Sequence, residues 1–448
     1  MIGKQVWSLT PAKIILGGFF LIIITGAVLL TLPFASKAGE ATPFIDAVFT
    51  ATSATCVTGL IVHDTYTYWS VFGQAVIIIL IQIGGMGVVT LAIAITILSG
   101  KKIGLKQRYV MQESISAPQV GGIVRMTSFI VKGTIFFEAA GAVIMAFQFC
   151  PQMGLIKGIW FSVFHSISAF CNAGFDLMGG TSGPTTSITS YTGNPLINIP
   201  IMLLIIIGGI GFFVWDDVKT HKLQHKYYHL QTKIVLTTTF CLIMFPALFL
   251  FLFEFSRDCW DGLSLQERFM ASLFQSVTTR TAGFNSVDLN QLSEAAQLLV
   301  VILMIIGGSP GSTAGGIKTT TFALAILCLR SAFQNQESIQ CYKRRIPYDI
   351  LRNAIAILAL YISLMLTATF LITWLDDVNL MEAAFETSSA VATVGLSLGI
   401  TGDLSTFSKI ILILLMYFGR VGGLTMLYAL TNRKKLPVLL PQERITVG

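Results

Sequence analysis

Charge is what this sequence has least of. Only 11% of its 448 residues are charged, against about 25% in a typical soluble protein. With 54% of residues apolar and a mean hydropathy of +0.76, no soluble fold of this size would hide its apolar surface, and the natural solvent is lipid. Histidine is scarce as well: His63, His165, His221, His225 and His229 are the full set. A membrane hydrolase needs a nucleophile with a base, or a carboxylate–histidine metal cluster, and neither is signalled. His221, His225 and His229, spaced by four, could hold a metal, although a solvated loop is the plainer reading. Gly307–Lys318 lacks the G-K-[ST] of a Walker motif. The chain therefore does not read as an enzyme, and no covalent cofactor is implied. Cys56, Cys150, Cys171, Cys241, Cys259, Cys328 and Cys341 form no C-x-x-C pair, so no disulfide or metal framework is implied. The apolar run Ile14–Leu32 exceeds the h-region of a signal peptide, about 7–15 residues, and reads as a first transmembrane helix.

What is present is a repeated pattern. Eight apolar stretches, near 12–33, 71–99, 127–149, 196–215, 232–254, 295–330, 351–374 and 406–430, approach or exceed the span of about 20 helical residues that a bilayer requires. Within each successive pair lies a shorter segment, near 43–55, 158–170, 265–278 and 380–392. These are too short to cross and fit re-entrant helices. Each ends in a hairpin where glycine precedes a large apolar residue: Gly59-Leu60, Gly174-Phe175, Gly283-Phe284 and Gly395-Leu396. The glycines are 115, 109 and 112 residues apart, a period that marks repeated units. Phe49, Phe164, Phe274 and Phe385 keep the same register, nine or ten residues before each glycine. Paired glycines interrupt every second long helix: Gly84-Gly85-Met86-Gly87, Gly208-Gly209-Ile210-Gly211, Gly307-Gly308-Ser309-Pro310-Gly311 and Gly419-Arg420-Val421-Gly422-Gly423.

The expected fold is an all-α polytopic membrane protein. Four pseudo-fourfold-related helix–pore helix–filter–helix units give eight transmembrane helices and four re-entrant pore helices. The units span 1–108, 109–226, 227–345 (with an intramembrane loop) and 346–448. An even number of spans per unit keeps all four in one orientation. That arrangement suits a pore on one axis better than the inverted repeats of a rocking transporter.

Basic residues give the topology. With both termini inside, the outer segments hold only Lys37, Lys157, Arg257, Arg268, Arg280 and Lys409. Lys101, Lys102, Lys106, Lys219, Lys222, Lys343, Arg344, Arg345, Arg433, Lys434 and Lys435 fall inside with the rest, as the positive-inside rule expects. This asymmetry explains the pI near 9.0 without nucleic acid as a partner. The outer segments hold 14 carboxylates against those six cations, a net charge of −8, which concentrates cations at the mouth.

A cation can cross only if oxygens replace its hydration shell. Irregular backbone is tolerated in a bilayer only where it lines a cavity, and glycine permits the dihedrals that aim carbonyls at one point. Four short helices ending at the hairpins would also direct their partially negative C-termini there. The candidate filter is Thr55, Cys56, Val57, Thr58 and Gly59; Phe170, Cys171, Asn172, Ala173 and Gly174; Arg280, Thr281, Ala282 and Gly283; and Ala392, Thr393, Val394 and Gly395.

The third unit departs from the others. Gly307, Gly308, Ser309, Pro310, Gly311, Ser312, Thr313, Ala314, Gly315 and Gly316 cannot sustain a regular helix. We expect a flexible gating loop in the conduction path, a kinked but static helix being the alternative, with Lys318 snorkelling to the inner edge. Arg420, inside an apolar stretch, is either a positive barrier near the gate or a cap on carbonyls of the loop. Glu138 and His165 read as packed, locally hydrogen-bonded groups rather than parts of an ion path. Arg280 is expected to pair with Glu267 or Glu386.

Taken together, ATCVTGL (54–60), NAGF (172–175), RTAGFN (280–285), TVGL (393–396), the loop 307–316 and GRVGG (419–423) give a chain that resembles the Ktr/Trk/HKT superfamily of potassium transporters. Within it the resemblance is to the KtrB/KtrD-type ion-translocating subunit, over essentially the whole sequence. The resemblance implies potassium coordination by backbone carbonyls around Gly59, Gly174, Gly283 and Gly395. Sodium-favouring relatives carry serine at the first of these, so Gly59 points to potassium. It further implies sodium-activated uptake across the plasma membrane, a homodimer, and a cytosolic ring of RCK-type (KtrA/KtrC-like) regulatory subunits. Those subunits alone would bind nucleotide, and they would govern the loop. The hairpins lack the Tyr-Gly of the TVGYG channel filter, which implies looser selectivity. Alternating-access cation transport and a less selective sodium/potassium pathway are the alternatives.

Overall fold

A computed structural model describes residues 10–99, 103–114, 121–181, 183, 185–222, 224–336, 338–423 and 426. Both chain ends, Lys101, Lys102, Arg433, Lys434, Lys435 and the end of the last apolar stretch lie outside these.

The first unit comprises α1 (Pro11–Thr31), the short α2 (Phe44–Thr55), α3 (Val71–Met86) and α4 (Val88–Leu98), followed by α5 (Leu105–Ser114). In the second, α6 (Ile123–Met153) leads to the short α7 (Leu155–Cys171), then α8 (Pro195–Gly209) and α9 (Phe212–His221). The third comprises α10 (Leu230–Phe249), the short α11 (Leu265–Thr278), α12 (Glu294–Ile305) and α13 (Thr319–Phe333). In the fourth, α14 (Tyr348–Asp376), the short α15 (Leu380–Ala392) and α16 (Thr406–Val421) complete the fold. A small hairpin, β1 (Gln340–Cys341) with β2 (Arg344–Arg345), joins the last two units, so the chain is mostly rather than wholly helical.

Helix starts follow local chemistry. Ser70, Asn194, Ser264, Ser293, Asn379 and Ser405 each accept a backbone N–H of the first turn, satisfying donors that have no partner within the helix. Ser264 and Glu267 form a reciprocal capping box.

Among the described residues four helices are long and apolar enough to cross a membrane, or up to six if each bent pair is one span, against the eight expected. By length and composition α1, α6, α10 with its Leu250–Glu254 extension, and α14 can cross a membrane alone. The second long segments break at their glycines. α3 and α4 meet at 94°, and α8 and α9 at 95°. Gly87 and Gly211 make these bends with φ of +83° and +95°, a region that side chains other than hydrogen rarely adopt. In the third unit the break widens into the whole segment between Ile305 and Thr319.

Phe20, Phe136, Phe147, Phe245 and Phe370 are exposed on the long helices, as a lipid-facing surface requires. Phe49, Phe164, Phe274 and Phe385 are fully buried. Each anchors its short helix in the centre, which fixes the height of the hairpin that follows.

Candidate functional site

All four short helices end on the same event. In units one, two and four the N–H of the residue before the glycine donates back to the short helix: Thr58 to Ser53 O, Ala173 to Ser168 O and Val394 to Ser389 O, each at 2.8 Å. Ser53 and Ser389 also accept the Gly59 and Gly395 N–H through their hydroxyls, at 3.1 and 2.9 Å. The third hairpin uses Thr278 instead, whose carbonyl accepts from Ala282 at 3.0 Å and whose hydroxyl donates to Phe284 O at 2.7 Å.

The glycines have φ of +95°, +69°, +82° and +92°. Two residues earlier, Val57, Asn172, Thr281 and Thr393 are also left-handed, with φ of +55°, +59°, +63° and +54°. Three of these are β-branched, for which this region is a true outlier. Such strain persists only where surrounding structure enforces it. A backbone that visits the left-handed region at every second residue turns successive carbonyls to one side, unlike a strand, where they alternate. This feature was not anticipated from sequence; the only signal was the fixed distance to each glycine.

The hairpins close a ring. A methyl group on Gly59 would collide with Ala173 O, on Gly174 with Ala282 O, on Gly283 with Val394 O, and on Gly395 with Thr58 O. Each unit thus abuts the next, and the fourth abuts the first. On one side the ring opens into a cavity of about 810 Å³, whose lining includes all four glycines with Asp176, Asp288 and Asp403. Asp176, in the loop beyond the second hairpin, has its carboxyl pushed up to about 6. Burial is the main cause; the Met178 N–H opposes it and the charge of Asp64 adds to it.

On the other side lies the 307–316 loop. Thr313 Oγ1 donates to Phe170 O at 3.1 Å, and Gly315 and Gly316 lie against Thr393 and Ala392 O. The loop is held at several points: Ser309 and Thr313 N–H donate to Gly209 and Gly208 O at 2.9 and 3.2 Å, Phe212 N–H donates to Gly311 O at 2.7 Å, and Thr319 N–H donates to Gly308 O at 3.0 Å. Beneath it is a smaller cavity of about 210 Å³ lined in part by Lys318, Tyr361 and Arg420.

Of the two roles open for Arg420, the contacts are those of a cap. Its guanidinium donates to Thr313 O of the loop, and to Gly84 O and Gly85 O where α3 breaks, the last at 3.1 Å. Lys318 does not snorkel: its Nζ turns back to Ala314 O at 2.8 Å and Gly315 O at 3.4 Å. Loop carbonyls left free by the absence of helix compete for that ammonium. The expected ion pair of Arg280 does not form either. Glu267 is engaged by Ser264, and Glu386 accepts from Ser397 and Thr401.

Glu138 and His165 are both buried and hydrogen-bonded. Glu138 accepts from Gln82 Nε2 at 3.2 Å. His165 bridges Phe161 O at 2.7 Å and Leu177 N–H at 3.3 Å, which ties the second short helix to the chain beyond its hairpin. His221 and His229 both contact Asp217 Oδ1, at 2.9 and 3.0 Å. No cluster able to hold a metal ion occurs among the described residues.

The chain has counterparts among known proteins. The TrkH family model, described as cation transport protein, matches residues 19–439. The chain belongs to the TrkH cation transport family. Its members are transporters, not enzymes. The chain is 39% identical over 440 residues to Ktr system potassium uptake protein B of Bacillus subtilis, covering 98% of this chain and 97% of the relative. It is 38% identical over 452 residues to potassium/sodium uptake protein NtpJ of Enterococcus hirae, covering 98% of each. The fold matches the crystal structure of the potassium transporter TrkH from Vibrio parahaemolyticus with a TM-score of 0.73 at 21% identity, covering 96% of this chain and 86% of that one.

Proposed function

We propose that this TrkH-family protein takes up potassium through the ring formed by its four hairpins. Carbonyls of 55–59, 170–174, 280–283 and 392–395 replace the ion's water, and the 307–316 loop below acts as the gate. The cyclic contact of Gly59, Gly174, Gly283 and Gly395 is the observation that carries the reading. Wherever one side chain larger than hydrogen would strike a neighbouring carbonyl, four strands of backbone are as close to one axis as they can come. The relatives named for potassium uptake support the choice of ion, and the word system in that name supports accessory subunits. On this reading the protein works as a homodimer in the plasma membrane with both termini in the cytoplasm. It is activated by sodium and governed by a cytosolic nucleotide-binding ring of the RCK type. Arg420 is then the latch of the gate and Lys318 a second hold on it.

A second reading, a less selective sodium/potassium pathway, is favoured by the relative named for both ions and by the single glycine in each hairpin. One experiment separates the two: rubidium and sodium flux into proteoliposomes with the regulatory partner present. The first reading expects potassium to outcompete sodium in wild type. Gly59→Ser, with a side chain forced to φ near +95° against Ala173 O, should lose about tenfold or more in that preference, given a strain of about 1–3 kcal/mol. Equal competition by both ions in wild type would select the second reading. Absence of flux of either ion would end both.

A further inference from the structure

Away from the ring, a cavity of about 730 Å³ runs between α10, α13 and the β1–β2 hairpin. Its walls change character along its length. Towards the middle of the membrane the lining is Phe245, Pro246 and Phe322; at the other end it is Arg330, Gln334 and Gln340. Arg330 is exposed, and no carboxylate lies within ion-pair distance of it among the described residues. Lys343, Arg344 and Arg345 of the hairpin are exposed at the same end. Along α10 the lining extends from Ile234 to Pro246, about 18 Å at a rise of about 1.5 Å per residue. That is close to half of a hydrocarbon core of about 30 Å. Phe240, Phe245, Ile326 and Leu329 on the same two helices are exposed, so the groove opens on an apolar outer face.

We infer that this groove binds one anionic phospholipid, with an acyl chain along Phe245 and Phe322 and the phosphate at Arg330. An apolar trough of one leaflet's depth is filled at least cost by a hydrocarbon chain. Its polar end supplies an unpaired guanidinium, the side chain best suited to phosphate, amid further cations that favour an anionic headgroup. α13 begins at Thr319, directly after the loop beneath the ring, so the lipid braces the helix on which that loop ends. The inference needs only a membrane around α10 and α13 and is independent of the transported ion.

The test is native mass spectrometry of the full chain released from nanodiscs with equal phosphatidylglycerol and phosphatidylcholine. Wild type should retain one phosphatidylglycerol in preference. Arg330→Gln should lower that preference about fivefold, the weight of one basic contact of about 1 kcal/mol at a membrane surface, and Arg330→Lys should keep most of it. Ile326→Trp, which fills the trough, should reduce retention of both lipids. Thermal unfolding of each variant confirms that it is folded. Equal retention of the two lipids by wild type, unchanged preference in Arg330→Gln, or thiol cross-linking of Cys241, which lines the groove, to the same residue of a second copy would overturn the proposal.

Discussion

Compare the second helix of the third unit with those of the other three. Gly84, Gly208 and Gly419 each press on a carbonyl four residues before a ring glycine: Thr55 O, Phe170 O and Val391 O. Gly307, at the matching place, presses on Gly315 O of its own loop. Three residues after the first glycine, Gly87, Gly211 and Gly422 turn the chain with φ of +83°, +95° and +90°. The third unit has Pro310 there. Proline is locked near −65° and cannot make that turn. The chain runs on to Gly311, with φ of +67°, and resumes a helix only at Thr319. A residue that cannot bend as Gly87 and Gly211 do thus stands where the third unit has a loop and the first two have a corner.

Exchanging these residues tests the comparison most severely. Gly211→Pro puts the third unit's residue into the second. It should remove the corner and the Phe212 N–H bond to Gly311 O, at a cost of about 3 kcal/mol or more, read as a large fall in thermal midpoint and folded yield. A Gly211→Pro protein as stable as wild type would break the argument. Next in size is the latch. Arg420→Ala removes the only side chain among the described residues that donates to both the Thr313 and Gly84 carbonyls. Hydrogen bonds to a charged group contribute about 1.5–3 kcal/mol each. Basal flux without the regulatory partner should therefore rise about tenfold; unchanged or lower flux would instead assign Arg420 to holding the helices together.

The smallest effect contrasts the two cavities. The one that opens at the four glycines, outer on the proposed topology, carries Asp176, whose carboxyl burial pushes up to about 6. Above that pH its charge draws cations in; as the outside pH falls through about 6 the carboxyl takes a proton and the attraction goes. Uptake at limiting potassium should then drop by up to about fivefold, the scale of one partly exposed charge, and Asp176→Asn should be low and flat across the range. A pH profile identical in Asp176→Asn and wild type would place the titrating group elsewhere.

The repeat was legible because it rests on residue types with few substitutes. Only glycine fits each ring position, and the four buried phenylalanines keep its register, so spacing alone located the hairpins and the short helices. The paired glycines marked where the second helices are interrupted, but apolar content says nothing of direction, so the right-angled turns of 94° and 95° were not legible. The left-handed Val57, Thr281 and Thr393 were hidden because nothing in a valine or threonine signals a conformation enforced by its neighbours. Arg420 and Lys318 were marked by their depth, but their partners are backbone carbonyls, which every residue has and no sequence distinguishes. The partner sought for Arg280 among Glu267 and Glu386 was misplaced: no ion pair forms between Arg280 and either carboxylate, and Glu386 Oε2 stays buried without a hydrogen-bond partner.

Anomalous diffraction from crystals grown in rubidium tests most directly the claim that these four hairpins hold a dehydrated cation. The account expects a peak on the axis between Gly59, Gly174, Gly283 and Gly395, within coordinating distance of their backbone oxygens and weakened in Gly59→Ser. Rubidium bound elsewhere in the protein, with the ring axis empty, would contradict it.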